Sequence, residues 1–252
     1  MKKDSRVKAV ISLDAVEHNF REMRKNIAEE TKMIAVIKAD AYGHGAVPVA
    51  HLIEDYDYIW GFAAATAEEA IHLREAGITK PILILGIVFD EYFPELVRYE
   101  IRPAVCEYEE ARKLSDEAVL QKKKTVHIHI ALDTGMTRIG FADAQENVEE
   151  IKKISELPNL EIEGMFTHFA RADEYDRSPA MVQLERYLDF SRRVEEAGVE
   201  IPLHHCSNSA GIIRMPEANL NIVRAGITIY GIYPSSEVER DIVKLEIGRA
   251  HV

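Results

Sequence analysis

Short runs of β-branched and other apolar residues alternate with longer amphipathic stretches along the whole chain. That alternation marks a parallel sheet whose strands are joined by crossover helices. The strand-like runs are Met33–Lys38, Tyr58–Ala63, Ile82–Leu85, Ile101–Val105, Val126–Leu132, Ile162–Thr167, Leu203–Cys206 and Asn221–Arg224. Between them lie helix-like segments over Val47–Asp55, Ala67–Ala76, Asp90–Arg98, Glu107–Gln121, Ala144–Leu157, Pro179–Ala197 and Asn208–Arg214, with Ser12–Glu29 as a leading helix. The punctuation agrees. Thr66 and Glu69 have the spacing of a capping box, Gly77 and Gly198 stand where helices end in the left-handed region, and Pro81 and Pro202 follow as stops. Eight such units in 252 residues predict an α/β fold, a (β/α)8 TIM barrel using nearly the whole chain, in preference to an open doubly wound sheet.

Composition narrows the partners. With 47% hydrophobic residues the chain can bury a large core, and 43 acidic against 31 basic residues give a net charge of −12 that repels phosphate backbones. Nucleic acid is therefore not an expected partner. No apolar run approaches the roughly 20 residues that cross a bilayer. Lys2, Lys3, Asp4, Arg6, Lys8 and Asp14 break up the N-terminal segment, which leaves no export-type apolar stretch. Cys106 and Cys206 stand far apart, in neither a disulfide framework nor a thiolate zinc spacing. These features lead us to expect a cytoplasmic protein without membrane contact.

In a barrel the chemistry sits where strands end, at the C-terminal face. Lys38 closes an apolar strand, where burial favours the neutral amine that attacks carbonyls, so it is a candidate Schiff-base lysine. A lone lysine in that place more often snorkels to water, but its surroundings count. Tyr42 lies four residues on and can lean back over the same ligand if the loop turns helically, while Gly43 and Gly45 permit close backbone approach. Asn208 and Ser209, with Gly226 and Ile227, occupy the loops after the seventh and eighth strands, the recurring phosphate position of this fold. A lysine for a carbonyl beside donors for a phosphate describes pyridoxal phosphate. Arg224 ends an inward-facing strand, would be costly to bury unpaired, and is expected to face a ligand or a carboxylate. A metal-dependent hydrolase is the rival reading, prompted by His127, His129 and His168 among ten histidines. Its weakness is placement, because His127 and His129 lie below the mouth; they and His204-His205 read as interior filling.

The run Ala35-Val-Ile-Lys38-Ala-Asp-Ala-Tyr42-Gly-His44-Gly45 resembles the lysine signature of the alanine racemases, which are pyridoxal-phosphate enzymes. Similar matches occur at Asp133-Thr-Gly-Met-Thr-Arg138-Ile-Gly, Gly164-Met-Phe-Thr-His168-Phe-Ala, Ser207-Asn208-Ser209-Ala and Val223-Arg224-Ala-Gly226-Ile227. The resemblance covers about residues 5–236. It implies that Lys38 holds the cofactor as a Schiff base and serves as the acid/base for one face of the substrate. It also implies that Arg224 bonds the ring nitrogen, that His168 buttresses the ring and bonds Arg224, and that Tyr42, Ser209, Gly226 and Ile227 bind phosphate. Arg138 would hold the substrate carboxylate, with Leu85 and Asn208 lining the pocket. The implied activity interconverts L- and D-alanine, supplying D-alanine for peptidoglycan, with serine as an alternative substrate and a non-catalytic pyridoxal-phosphate barrel as an alternative role.

Two departures from the family pattern are visible. The family's better-known members carry a carbamylated lysine two residues before Asp133, where this chain has Ala131. The second base of the family is a tyrosine of a C-terminal β-domain reaching the partner's site in a homodimer, and Tyr230 and Tyr233 are not that residue. Residues 1–236 are thus expected to form the cofactor-binding barrel and residues 237–252 the start of a linker. The run Glu246–Val252 resembles a translated sequencing adapter, so Lys244 or so is expected to be the last genuine residue, the parent protein being longer. A fragment so cut is expected to bind the cofactor with little activity.

Overall fold

The computed structural model describes residues 8–238 and 245–251; Lys2, Lys3, Asp4, Arg6 and Lys244, singled out above, lie outside the described residues. The strands are β1 (Ala9–Ile11), β2 (Lys32–Val36), β3 (Ile59–Ala64), β4 (Ile82–Ile84), β5 (Arg102–Val105), β6 (Val126–Asp133), β7 (Phe141–Ala142), β8 (Leu160–Phe166), β9 (Leu203–His205), β10 (Ile222–Ala225) and β11 (Arg249–His251). The helices are α1 (Leu13–Arg24), α2 (Lys38–Gly43), α3 (Ala46–Ile53), α4 (Ala67–Glu75), α5 (Phe93–Tyr99), α6 (Tyr108–Leu120), α7 (Gln145–Ser155), α8 (Ser178–Glu196) and α9 (Ser209–Arg214).

Eight parallel strands form a nearly closed ring in the order β10-β2-β3-β4-β5-β6-β8-β9, with the helices outside. The TIM barrel is therefore confirmed. Each strand-like run coincides with a barrel strand to within two residues. The seam between β9 and β10 has no continuous ladder. There the Arg224 N–H donates to the Ser207 carbonyl and the His204 N–H to Asn221 Oδ1, each at 2.9 Å. Alternation divides each strand. In β2, Met33 and Ala35 pack outward in the helix-facing core, while Ile34 and Val36 face inward with Ala63, Leu83 and Ile222. Outside the barrel, β11 pairs antiparallel with β1, and the Asn19 amide holds the Glu246 backbone, donating to its carbonyl at 2.8 Å and accepting from its N–H at 2.9 Å.

The caps follow the residues. Ser12 caps α1 by accepting from the Ala15 N–H, and Asn208 caps α9 by accepting from the Gly211 N–H. The Thr66–Glu69 box forms only by half. Thr66 accepts from the Glu69 N–H, but the Glu69 carboxylate turns to the N–H groups of Ala65 at 2.8 Å and Ala39 at 2.7 Å. The segment expected as one helix over Asp90–Arg98 divides into a 3-10 turn, Asp90–Tyr92, and α5, with Pro94 in the first turn of the latter.

Gly61 shows how tightly the ring is drawn. A Cβ there would lie 2.3 Å from the Pro81 carbonyl oxygen, a backbone atom that cannot swing aside. Gly61→Ala is expected to cost about 1–3 kcal/mol of stability. Urea unfolding should show a lower midpoint with an unchanged slope.

Candidate functional site

The strand ends open on one cavity of about 490 Å³. All ten residues singled out from the sequence line it: Lys38, Tyr42, Leu85, Arg138, His168, Asn208, Ser209, Arg224, Gly226 and Ile227. Strand topology is what gathers them, since they come from chain segments up to the full length of the barrel apart.

Lys38 does not end β2. Ile37 still pairs with β3 through its N–H to the Ala63 carbonyl at 2.9 Å, and Lys38 then starts α2. This turn is left-handed: Ala39, Asp40, Ala41 and Tyr42 have φ of 51, 51, 54 and 52°. Each such non-glycine residue costs roughly 1–2 kcal/mol, so the turn must be held from outside. Glu69 accepts from the Ala39 N–H, Asp40 Oδ1 accepts from the Ala46 N–H at 2.7 Å, and Gly43 and Gly45 continue the chain at φ 81 and 90°. The half-buried Tyr42 ring thereby reaches Lys38, whose Nζ lies 6.0 Å from the ring centroid. Behind it stands Tyr230, with ring centres 4.9 Å apart and its hydroxyl donating to the Val36 carbonyl at 2.8 Å.

Ser209 Oγ accepts from the Gly226 N–H and from Thr228 Oγ1, both at 3.0 Å. Its own O–H is then left to donate into the cavity. The Gly226 N–H is engaged, so Gly226 contributes space instead of a donor. An added Cβ would meet Tyr42 Oη at 3.5 Å and Ser209 Oγ at 3.9 Å.

Arg224 is 2% exposed. It finds neither a carboxylate nor the expected bond to His168. Instead one guanidinium nitrogen donates to His205 Nδ1 at 2.8 Å and to the His205 carbonyl at 2.6 Å, while the other donates to the carbonyls of Thr167 at 2.6 Å and Cys206 at 3.0 Å. Burial pulls Arg224 down to about 10, still charged at neutral pH. His205, taken from the sequence as strand filling, is the functional neighbour that reading missed. A buried arginine on the adjacent strand was the signal that it needed an acceptor. His168 is driven down to about 3 by burial and then by Arg224, Arg138 and Lys38.

The cavity lining thus carries three cations, Lys38, Arg138 and Arg224, against the single carboxylate of Asp173. Such a field suits anionic ligands. Arg138 is exposed at the mouth and has no hydrogen-bond or ion-pair partner among the described residues, while Ala131 packs with Ala104 and Phe166 where an orienting lysine was looked for. The hydrolase constellation does not assemble. His127 pairs with Glu161 at 3.7 Å, His129 is buried in the barrel, and no three metal-ligating side chains converge among the described residues.

A family profile described as alanine racemase, N-terminal domain, matches residues 11–234. The chain is 44% identical over 238 residues to the alanine racemase of Clostridium tetani, covering 94% of this chain and 61% of that protein. It is 42% identical to that of Methanococcus maripaludis, over 94% of this chain and 63% of that protein. The chain therefore spans about three fifths of the length of these relatives. Among solved structures, alanine racemase of Clostridium difficile 630 in complex with cycloserine superposes with a TM-score of 0.96 at 41% identity, covering 99% of this chain and 68% of that one. The Bacillus anthracis enzyme with bound L-Ala-P gives 0.91 at 32%, over 100% of this chain and 64% of that one.

The depressed histidines set a pH dependence. Burial holds His129, His204 and His205 below their ordinary 6.5 as it does His168. Below pH 6.5 the unfolded chain binds more protons than the folded one, so stability falls on acidification. Glu110, pushed up to about 7 by burial, gains folded-state protons between pH 7 and 4.5 and offsets one histidine. From pH 6.5 to 5 stability should fall by about 1.4 kcal/mol per pH unit for each histidine kept neutral, less the Glu110 share. Urea midpoints measured across that range check this, and a midpoint that rises on acidification contradicts it.

Proposed function

Because the chain belongs to the alanine racemase family, matching its N-terminal domain, we propose that it is the cofactor-bearing barrel of a pyridoxal-phosphate-dependent isomerase that interconverts L- and D-alanine. The observation that carries this reading is the meeting of Lys38, Ser209, Gly226 and Arg224 in one cationic cavity.

The residues fit the cofactor. The space left by the missing Gly226 side chain is bounded by the hydroxyls of Tyr42 and Ser209, and with the N–H of Ile227 these would hold a phosphate. Arg224 has one donor, Nε, without a partner among the described residues, and it would bond the ring nitrogen while Leu85, Asn208 and His168 line the ring. Bound there, pyridoxal phosphate supplies a carbonyl for an amine and a conjugated ring that spreads the charge left by a departing α-proton.

The chain's own groups then have distinct tasks. Lys38 would hold the cofactor through Nζ, and the same amine would take or return the α-proton on one face. Arg138 grips the substrate carboxylate with its planar fork. Arg224 stays charged and would donate a hydrogen bond, not a proton, to the ring nitrogen, so that electron withdrawal would be weaker and return of the proton favoured over its loss. His168, pushed down to about 3 chiefly by burial, is neutral at neutral pH and so adds no fourth cation to the cavity. The apolar side chains of Val36, Leu85 and Met136 suit a methyl group. Inversion needs a second proton carrier on the opposite face, which the resemblance assigns to a tyrosine of the family's C-terminal β-domain, contributed within a homodimer. Residues 1–236 are then the cofactor-binding domain, and residues 237–252 the start of a linker toward that second domain followed by the adapter-like run. A cytoplasmic location and a supply of D-alanine for the cell wall complete the proposal.

The test begins with pyridoxal phosphate added to the purified chain. A visible absorption band, reduction with borohydride and label on Lys38 by mass spectrometry are expected, and Lys38→Ala should give no band. Label scattered over surface lysines would refute the site. A polypeptide of these 252 residues made alone carries Lys38 but not the second base, so its racemisation should be at least about 10²-fold slower than that of a full-length relative.

A further inference from the structure

Below the cavity a file of polar side chains, buried at Arg224, His205 and His129 and partly exposed at Glu163 and Arg102, crosses the barrel from β10 to β5. Arg224 donates to His205 Nδ1 at 2.8 Å, His205 Nε2 meets His129 Nδ1 at 2.8 Å, and His129 Nε2 meets Glu163 Oε2 at 3.2 Å. Glu163 in turn receives Arg102 through two bonds, 2.6 and 3.1 Å. We propose that Glu163 is a positioning residue for Arg224: as the acceptor-only end of this file it satisfies, and so stabilises, the one hydrogen-bond direction in which His205 accepts from Arg224. The proposal rests on the cavity reading above.

The direction follows from donor chemistry. A guanidinium only donates, so His205 Nδ1 must accept and its proton must sit on Nε2. That proton points at His129 Nδ1, which must also accept, placing the His129 proton on Nε2 toward Glu163. An ionised carboxylate only accepts, and the pair of bonds from Arg102 and His129 outweighs burial to hold Glu163 down to about 2. A donor-only group at one end and an acceptor-only group at the other leave one arrangement with every member satisfied. Both imidazoles are fully buried and kept neutral by that burial.

Packing is fitted to this file. The Phe166 ring stacks on His205 with centres 4.9 Å apart and 12° between planes, and Arg224 lies 5.3 Å over the same ring. Trp60 sits 5.5 Å from the His129 ring and 5.6 Å from the Arg102 guanidinium. A Cβ on Gly164 would come within 2.5 Å of His129 Nδ1, so the glycine beside Glu163 is what admits the ring. In Glu163→Gln the side-chain amide can donate as well as accept. His129 can then carry its proton on Nδ1, which confronts the His205 Nε2 proton and pushes His205 toward a tautomer that no longer accepts from Arg224.

The test uses the whole chain labelled with 15N-histidine, without added cofactor. Nuclear magnetic resonance at pH 7 should show His129 and His205 as neutral tautomers protonated on Nε2. Glu163→Gln should mix the tautomers of both rings, whereas Arg102→Gln, which removes the ion pair but keeps the carboxylate, should leave them unchanged. In parallel, Glu163→Gln should weaken pyridoxal-phosphate binding by at least about tenfold, the scale of losing the support behind a ligating group, and Glu163→Asp should restore much of it. Single unchanged tautomers in Glu163→Gln, Nδ1-protonated rings in the parent chain, or equal scrambling by Arg102→Gln would each overturn the proposal. If Glu163→Gln does not fold, the parent spectrum and the Arg102→Gln comparison decide. A parent chain that shows the expected tautomers but binds no pyridoxal phosphate would sink the cavity reading and, with it, the role of Glu163 in positioning Arg224 for that ligand.

Discussion

The buried charge of Arg224 is the constraint around which the barrel's last seam is made. Removing a guanidinium from water costs several kcal/mol unless its donors are satisfied. Here the satisfying groups are carbonyls at the ends of β8 and β9, together with the His205 imidazole. Those bonds stand where a continuous β9–β10 ladder would otherwise run, so the side chain adds to the single backbone bond from the Arg224 N–H to the Ser207 carbonyl in tying the two strands. The same guanidinium is a wall of the cavity. Closing the fold and placing a fixed cation in the site are one act.

On the opposite side of the cavity, strain plays the corresponding part. Four left-handed residues in succession bring Tyr42 back over Lys38, an arrangement that a right-handed turn of the same length would direct elsewhere. Stored strain of this kind persists only when surrounding structure over-determines it. Glu69, the Asp40 carboxylate and the Tyr230 ring packed behind Tyr42 supply that restraint. Residues far from the chemistry are in this way committed to the position of one amine.

Much of this was legible in the sequence, and for a physical reason. Parallel strands buried on both sides must be apolar runs, and a barrel puts its chemistry at their ends, so polar residues just past each run were bound to share a mouth. Lys38, His168, Ser209 and Arg224 were found on that logic. What stayed hidden depended on register and on distant partners. Nothing in Ala39-Asp-Ala-Tyr42 favours positive φ strongly, and the carboxylate that holds the turn lies thirty residues away. The worth of His205 comes from lying beside Arg224 on the next strand, which no local pattern shows, and the bond to Arg224 that the family resemblance implies for His168 is made by His205 instead. The Gly226 N–H, expected to meet a ligand, is taken by Ser209.

The two arginines of the cavity divide rigidity between them. Arg224 is held by four hydrogen bonds and a buried file of side chains, so it defines an orientation before anything binds. Arg138 is exposed and unanchored among the described residues, with Ala131 in the place of an orienting charge. Fixing a free arginine costs up to about 2 kcal/mol of side-chain entropy. That cost falls on whichever anion Arg138 binds, and not on the group that Arg224 faces. The cavity is therefore pre-organised at its floor and adaptable at its mouth, so an anion that met Arg224 would find its partner already fixed, whereas one that met Arg138 would have to order it.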